Sequence, residues 1–218
     1  MKQACGIWFP DDEKHLVDMV SRSPRVDGKG TYQLHKLEAA LKFVPKRRLA
    51  LDVGMHVGLW AMHLVKTFKT VIGFEPVADH LHCLARNMAE ANVTNWKVHP
   101  LALGNKNANV GLKLMKGSTG STAIAEEDGV IPMKRLDDFE FTDPVDFVKI
   151  DVEGYEYMVL EGAEQTLRRH KPVVIVEQKP GKVEWFGHKQ YDARDLLISW
   201  GARQVFEMQG DCCLTWRK

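Results

Sequence analysis

The sequence lacks a cysteine framework and a membrane-spanning segment. Its four cysteines are Cys5, Cys83, Cys212 and Cys213, and no two of them form a C-x-x-C pair. The adjacent Cys212 and Cys213 suit neither a disulfide scaffold nor a zinc site. The first residues contain no apolar signal region, and no stretch approaches the roughly 20 apolar residues that cross a bilayer. These absences predict a reducing, cytoplasmic compartment and no membrane partner.

The sequence also lacks a strong net charge, internal repeats and low-complexity segments. The formal net charge of the 218 residues is +1, so no global field attracts nucleic acid or anionic membranes. Two basic runs, 46–48 and 168–171, keep a nucleic-acid acceptor as an alternative, although the second falls at a predicted helix C-terminus, where cations stabilise the helix dipole. An apolar fraction of 44% is enough for one sizeable core. The sequence does not indicate an oligomeric state.

The histidines do not have the spacing of a metal site. His80 and His82 stand two positions apart in a predicted helix, where residues i and i+2 do not face each other. Together with the absence of a C-x-x-C pair, this pattern predicts no metal site.

The segment 49–60, LALDVGMHVGLW, is the first that indicates a binding site. An apolar run containing Asp52 leads to Gly54 and Gly58, and an apolar-periodic stretch follows, which predicts a strand, a tight turn and a helix. The spacing is not that of G-x-G-x-x-G, and a carboxylate ahead of the turn would repel a pyrophosphate at the helix N-terminus. The same carboxylate suits the ammonium and sulfonium of S-adenosylmethionine. The alternative is that Asp52 caps the helix and the glycines only permit the turn.

Strand-like and helical segments alternate along the rest of the chain. Further short buried strands are predicted at 70–76, 95–104, 145–154 and 172–177, with helical stretches at about 59–68, 79–91, 155–170 and 193–201. This alternation predicts an α/β fold with a doubly wound, mostly parallel sheet. Segments 204–208 and 212–216 flank a turn and predict a C-terminal antiparallel hairpin.

Acidic residues stand at the ends of four predicted strands: Asp52, Glu75, Asp151 and Glu177. Ligands of open α/β sheets bind beyond the carboxyl ends of the strands, so we expect these acids on one rim. Glu75 follows the glycine loop by about 20 residues, where doubly wound folds have the acid that bonds ribose hydroxyls.

Together these segments resemble the FkbM-type methyltransferases, a branch of the class I S-adenosylmethionine-dependent enzymes. The resembling stretches are LDVGMHVG at 51–58, GFEP at 73–76, LALG at 101–104, KRLDD at 134–138, VKIDVEGYE at 148–156, LEGA at 160–163 and VE at 176–177. The family usually has Asn at the position of His56. The resemblance implies a Rossmann-like fold, S-adenosyl-L-methionine as cofactor, and O-methylation of a hydroxyl on a small molecule or glycan.

The resemblance also implies where cofactor and acceptor bind. The implied cofactor residues are Asp52, Gly54, His56, Gly58, Glu75, Pro76, Leu101, Ala102 and Asp151. Residues 1–45 are expected to form an N-terminal helical cover, and 46–218 the methyltransferase domain of a single globular unit. The candidates for contacting the acceptor are Tyr32, Gln33, Ser121 and Glu177, and Lys36 is a further candidate in the cover. The alternative is that the cover only protects one sheet edge.

The catalytic candidates are Asp151, Glu153 and Lys149, at the end of the fourth predicted strand. Residues i and i+2 of a strand share a face, so Asp151 and Glu153 point into one pocket if the strand continues to Glu153. Methyl transfer to a hydroxyl requires removal of its proton, which a carboxylate base accepts. The structural alternative is that Asp151 caps the next helix.

Three other functions stay open at the level of sequence. They are an RNA or other nucleic-acid methyltransferase, a non-catalytic methyltransferase-like binding module, and a nicotinamide dehydrogenase. The last is disfavoured by Asp52 ahead of the glycine loop.

Overall fold

The computed structural model describes residues 1–125 and 129–217, and it begins with a segment of short elements. In chain order these are β1 (Lys2–Ala4), β2 (Ile7–Phe9), α1 (His15–Ser21), β3 (Arg25–Val26), β4 (Lys29–Gly30) and α2 (Leu34–Leu41). The strands β1 and β2 form one antiparallel hairpin, and β3 and β4 form another. The segment 1–45 therefore contains hairpins as well as the helices that were expected.

Strands and helices alternate through the rest of the chain. They are β5 (Leu49–Val53), α3 (Ala61–Leu64), β6 (Thr70–Phe74), α4 (Ala78–Glu90), β7 (Trp96–His99), β8 (Ala102–Leu103), β9 (Ala108–Lys113), β10 (Ala123–Ala125), β11 (Ile131–Lys134), β12 (Val145–Ile150), α5 (Glu156–Glu161), α6 (Glu164–His170), β13 (Val173–Glu177), α7 (Asp192–Ser199), β14 (Arg203–Met208) and β15 (Asp211–Thr215).

The main sheet has the strand order β14-β15-β13-β12-β5-β6-β7 in the described part of the chain. Its five strands from β13 to β7 are parallel, and β15 pairs antiparallel with both β13 and β14. This arrangement confirms the predicted α/β fold, with its mostly parallel sheet and C-terminal hairpin.

Both faces of the sheet are covered, because its parallel strands are apolar on both sides. On β5, Leu49, Leu51 and Val53 belong to the core that contains residues of α5, α6 and α7. Ala50 belongs to the opposite core, which contains residues of α2, α3 and α4. The sheet is therefore doubly wound. Within residues 1–125 and 129–217, no helix combines the length and hydropathy needed to span a bilayer.

Two predicted elements are divided in the structure. The predicted strand 95–104 becomes β7 in the main sheet and β8 in a second sheet of order β10-β9-β11-β8, with Pro100 between them, which cannot donate to a ladder. The predicted helix 155–170 becomes α5 and α6, which are separated at Gly162 and Ala163. A Cβ added at Gly162 would lie 2.0 Å from the Gly104 carbonyl oxygen, so the division accompanies a close approach of two backbone segments.

Candidate functional site

The main cleft lies at the carboxyl edge of the parallel strands, outside β5 and β12. The strand order reverses between these two neighbours, because β6 and β7 continue on one side and β13 on the other. Ligands of open α/β sheets bind at such a reversal. The cleft has two adjoining halves that share the lining residues Gly54, His56, Gly120, Asp151 and Glu153.

The structure brings the four strand-end acids to this edge. Glu177 ends β13, Asp151 follows β12, Asp52 lies in β5 and Glu75 follows β6, and these four strands are adjacent in the sheet. Glu75 lines one half of the cleft, which we call the Glu75 half. Asp52 and Glu177 line the other, which we call the Glu177 half.

The glycine loop after β5 requires a backbone that few residue types adopt. Gly54 has a φ of +76°, and a Cβ added there would lie 1.9 Å from the Asp151 carbonyl oxygen. His56 has a φ of +50°, in the left-handed region where Asn, Asp and His are enriched among non-glycine residues. The same backbone requirement is compatible with His56 here and with the Asn that the resembling family usually has.

Asp52 is a buried carboxylate, 1% exposed, whose side-chain oxygens accept no hydrogen bond from the described residues. The Nζ of Lys149 lies 3.5 Å from its Oδ1 and donates instead to the Gly54 carbonyl oxygen at 3.0 Å. Burial raises the pKa of Asp52 to about 6, against the opposing charge of Lys149. A buried carboxylate with open acceptor sites is suited to a ligand cation.

Lys149 is the cation at the centre of the cleft. Its Nζ lies 3.5 Å from Asp52 and 3.6 Å from Asp151. Burial acts to lower the pKa of Lys149, but Asp151, Asp52 and Glu177 together raise it above its ordinary value. The ammonium therefore stays charged and counters two of the strand-end carboxylates.

Three carboxylates, those of Asp151, Glu153 and Glu177, have oxygens within 4.8 Å of one another in the Glu177 half. Burial and the charge of Asp151 raise the pKa of Glu153 and of Glu177. Lys182 Nζ lies 2.5 Å from Glu153 Oε2, and Lys179 pairs with Glu177. These are the described residues whose spacing would allow a shared metal ion, but lysine partners already counter their charge.

A turn, and not a continuous strand, brings Asp151 and Glu153 together. The expectation that the strand persists to Glu153 is wrong, because β12 ends at Ile150. The φ angles of Glu153 and Gly154 are +59° and +104°, which reverse the chain directly after Asp151. The carboxylates converge because of this turn.

Glu156 holds the turn in place. Its Oε1 accepts hydrogen bonds from the backbone N–H groups of Val152 at 3.0 Å and Gly154 at 3.1 Å. The helix α5 begins only at Glu156 and its N-cap position is Tyr155, so Asp151 is four residues too early to cap it, and the capping alternative is wrong. Burial raises the pKa of Glu156 to about 7.

Most of the remaining sequence candidates line the cleft or the small cavity beside it, and two are buried away from both. Pro76, Leu101 and Ala102 line the Glu75 half, Tyr32 and Ser121 line the Glu177 half, and Gln33 lines a small adjoining cavity. Gly58 is buried against α4 and does not line either half. Lys36 is fully buried and pairs with Asp211 at 2.6 Å, so it ties the cover to the C-terminal hairpin and the expectation of a ligand contact is wrong.

Several residues of the cleft were missed at the level of sequence. Lys179 and Lys182 follow Glu177 by two and five residues, and this alternation of charge after a strand-end acid is a signal that could have found them. Glu13 and His80 carry no local signal. Glu13 is recognised only from its hydrogen bonds to Thr119, and His80 only from its contact with Glu75.

The raised pKa of Asp52 predicts a pH dependence of ligand affinity. A ligand ammonium bound at Asp52 would require the ionised carboxylate, so affinity should fall as pH falls through about 6 and Asp52 takes up a proton. We expect an adenosyl amino-acid ligand such as S-adenosylhomocysteine to bind roughly tenfold more weakly at pH 5 than at pH 7. Calorimetry of the wild-type protein and of Asp52→Asn measures this. Equal pH dependence in both proteins would contradict the assignment to Asp52.

Comparison with known proteins identifies relatives of this arrangement. A sequence model of the methyltransferase FkbM domain matches residues 52–206. Methyltransferase 1 of Beauveria bassiana (strain ARSEF 2860) is 25% identical in an alignment that covers 54% of this chain and 59% of that relative. The chain thus aligns with less than two thirds of the length of that relative.

Two solved structures share the fold. Methyltransferase FkbM from Methylobacillus flagellatus KT is 22% identical, with a TM-score of 0.50, over 78% of this chain and 43% of that one. The Streptococcus mutans protein SMU.1697c, in complex with SAH, is 12% identical, with a TM-score of 0.54, over 85% of this chain and 97% of that one.

The reversed sheet, the cleft at its edge and these similarities define the class I methyltransferase fold. Because the domain model covers most of its length, the chain belongs to the FkbM methyltransferase family. The residues of the cleft fit S-adenosylmethionine, the cofactor that the resemblance implies. The open carboxylate of Asp52 suits an ammonium, Glu75 suits hydroxyl groups, and the apolar side chains of Leu101 and Ile124 suit a flat base.

Proposed function

We propose that this methyltransferase transfers a methyl group to a hydroxyl oxygen of a small-molecule or glycan acceptor. The observation that supports it most is the position of Asp151. This carboxylate lines the Glu75 half, the Glu177 half and the small cavity beside them. A base at that junction lies where a cofactor extending from Glu75 to Asp52 would meet an acceptor in the Glu177 half.

The cofactor residues of the proposal are those on and around the glycine loop. Asp52 would hold the ammonium and Glu75 the ribose, while Pro76, Leu101 and Ala102 form the wall of the Glu75 half. Gly54 and His56 would contact the cofactor where the two halves meet. When bound, S-adenosylmethionine supplies an electrophilic methyl group on its sulfonium.

The chain's own contribution is alignment and removal of a proton. Asp151 would accept the acceptor hydroxyl proton, a role that typically contributes 10²–10⁴-fold. Lys149, 3.6 Å from Asp151 Oδ2, orients that carboxylate and counters its charge. Glu153 is the neighbouring carboxylate that could share this role. Fixing the acceptor in line supplies a further part of the rate.

The wall of the Glu177 half suits a hydroxylated acceptor. Tyr32, Ser121 and Glu177 offer hydroxyl and carboxylate groups, and Trp60 adds an aromatic surface. Burial raises the pKa of Tyr32, so its phenol is a neutral O–H group. Residues 1–45 are proposed as the cover of this half and 46–218 as the methyltransferase domain, with Gln33 facing the small cavity.

A nucleic-acid acceptor is less well supported. Arg48 forms two side-chain hydrogen bonds to Asp146, and Arg47 donates to the carbonyl oxygens of Val44 and Leu41. In the second basic run, Arg168 pairs with Glu164. These contacts are within the protein. The proposal also retains a reducing, cytoplasmic compartment, which the four free cysteines support.

Methyl transfer from labelled S-adenosylmethionine to a panel of acceptors tests the proposal. The panel contains free sugars, oligosaccharides, small hydroxylated compounds, amines and structured RNA. We expect label on hydroxyl-bearing small molecules or glycans, located at oxygen by fragmentation mass spectrometry. Label found on RNA alone, or on nitrogen alone, would overturn the proposed acceptor class.

A further inference from the structure

Glu13 is a buried carboxylate in the N-terminal cover and takes no part in the proposed reaction. It is 0% exposed, and its oxygens accept hydrogen bonds from one residue of its own segment and from a loop more than 100 residues away. Oε1 accepts from the Leu16 N–H at 2.8 Å. Oε2 accepts from the N–H and the hydroxyl of Thr119, both at 2.6 Å, and from the Gly120 N–H at 3.4 Å.

The loop that Glu13 binds forms part of the cleft wall. Thr119 lines the Glu75 half, Ser118 and Ser121 line the Glu177 half, and Gly120 lines both. The N–H groups of Lys14 and His15 also donate to the Gly117 carbonyl oxygen, each at 3.1 Å. The cover therefore fixes the loop 117–121 over the junction of the two halves through one short stretch of chain.

Thr119 continues the hydrogen bonds of Glu13 into the glycine loop. Its Oγ1 lies 2.6 Å from Glu13 Oε2 and 3.0 Å from His56 Nε2. A carboxylate accepts and does not donate, so the single hydroxyl proton of Thr119 points to Glu13. Toward His56 the hydroxyl can then only accept, and the proton of that contact belongs to His56 Nε2.

Burial and the neighbouring His80 hold the pKa of His56 well below its ordinary value, so its imidazole is neutral. A neutral imidazole with a proton on Nε2 has a bare Nδ1. His56 Nδ1 has no hydrogen-bond partner within residues 1–125 and 129–217. The Glu13–Thr119 contact thus selects which ring nitrogen of His56 is an acceptor.

We infer that Glu13 is a positioning residue of this methyltransferase: it holds the loop 117–121 closed over the cofactor cleft and, through the Thr119 hydroxyl, fixes His56 as its Nε2–H tautomer. The inference goes beyond the proposed acceptor, because it concerns cofactor binding alone. If the loop is closed only part of the time, the apparent affinity for the cofactor equals the intrinsic affinity multiplied by the closed fraction.

Glu13→Gln is the first test. The variant replaces a charged acceptor by a neutral amide and turns one donor toward the Leu16 N–H, so we expect the Kd for S-adenosylhomocysteine to rise by about tenfold. Hydrogen exchange at the Thr119 amide should become faster. Glu90→Gln is the matched control, because Glu90 also binds the N-terminal segment, through Trp8 Nε1 at 2.8 Å, but lies outside the cleft. Wild-type affinity and wild-type exchange in Glu13→Gln would overturn the inference.

The tautomer of His56 is the second test, and it remains decisive if Glu13→Gln does not fold. Ring ¹⁵N chemical shifts distinguish the two neutral tautomers, and His56→Gln assigns the resonances. We expect an Nε2–H ring in the wild-type protein and in Thr119→Ser, which keeps the hydroxyl. In Thr119→Val the preference should be lost. An Nδ1–H ring in the wild-type protein, or an unchanged ring in Thr119→Val, would contradict the assigned chain of hydrogen bonds from Glu13 through Thr119 to His56.

Discussion

Asp151→Asn is expected to lower the turnover of this methyltransferase by about 10²-fold or more while the melting temperature stays unchanged. Asn is nearly isosteric with Asp, so the substitution removes charge and basicity but little packing. The side chain of Asp151 is 26% exposed in the cleft and lies 3.6 Å from Lys149 Nζ. Because α5 begins only at Glu156, the substitution does not remove a helix cap, and no loss of stability follows from that source.

Glu153→Gln is the control for this prediction. Glu153 belongs to the same cluster of carboxylates but is paired with Lys182 at 2.5 Å, so its replacement should reduce turnover less than Asp151→Asn does. Both variants are compared with the wild-type protein on one verified acceptor, and binding of S-adenosylhomocysteine is measured alongside. Until an acceptor is found, slow transfer of the methyl group to water is a weak proxy. Near-normal turnover of Asp151→Asn would reject its catalytic role, and a larger loss in Glu153→Gln would assign the base to Glu153.

The fold was predictable because its determinants are local. The apolar strands have acids at their carboxyl ends, and the parallel topology brings those ends to one edge. Asp52, Glu75, Asp151 and Glu177 could therefore be expected on a common rim from the sequence alone. The turn after β5 was predictable from its glycines, but the reason that position 54 requires glycine is long-range, because a Cβ there would lie 1.9 Å from the Asp151 carbonyl oxygen.

The boundaries that were wrong depend on contacts between distant residues. The helix predicted over 155–170 is divided, and α6 begins with the N–H groups of Gln165 and Thr166 bound to the carboxylate of Asp137 at 3.1 Å and 2.8 Å. A helix start that is capped by a side chain about 28 residues away leaves no capping residue in the local sequence. The turn after β12 was missed similarly, because Glu153 is a non-glycine residue with positive φ and a local pattern does not predict one.

In the N-terminal cover, too, the sequence predicts some site residues and not others. Tyr32 could be proposed from its place ahead of the first core strand, and it lines the cleft. Lys36, four residues later, turns instead to Asp211 at the other end of the chain. Glu13 stands after two exposed aspartates, so the sequence resembles an exposed acidic stretch. Its burial is imposed by Thr119 and Gly120, whose backbone N–H groups need an acceptor there.

Glu75→Ala is expected to weaken binding of S-adenosylhomocysteine by about 100-fold. In the structure, Glu75 Oε2 accepts a hydrogen bond from the His56 N–H at 2.8 Å. Its Oε1 accepts a hydrogen bond from the Val77 N–H at 3.0 Å and contacts His80 Nδ1 at 3.0 Å. A carboxylate has about four lone-pair positions, so one remains for a ribose hydroxyl. One charge-assisted bond is worth about 1.5–3 kcal/mol, or roughly 10- to 150-fold in affinity.

A double-mutant cycle separates the ribose contact from the support that Glu75 gives to His56 and His80. Wild-type protein and Glu75→Ala are each titrated with S-adenosylhomocysteine and with its analogue that lacks both ribose hydroxyls. If Glu75 binds the ribose, the analogue should bind the wild-type protein about tenfold or more weakly, and Glu75→Ala should no longer distinguish the two ligands. If the carboxylate only supports the glycine loop, Glu75→Ala weakens both ligands equally and the discrimination between them persists. That second outcome would remove Glu75 from the cofactor contacts and leave it as the buried acceptor that holds the His56 backbone in its left-handed conformation.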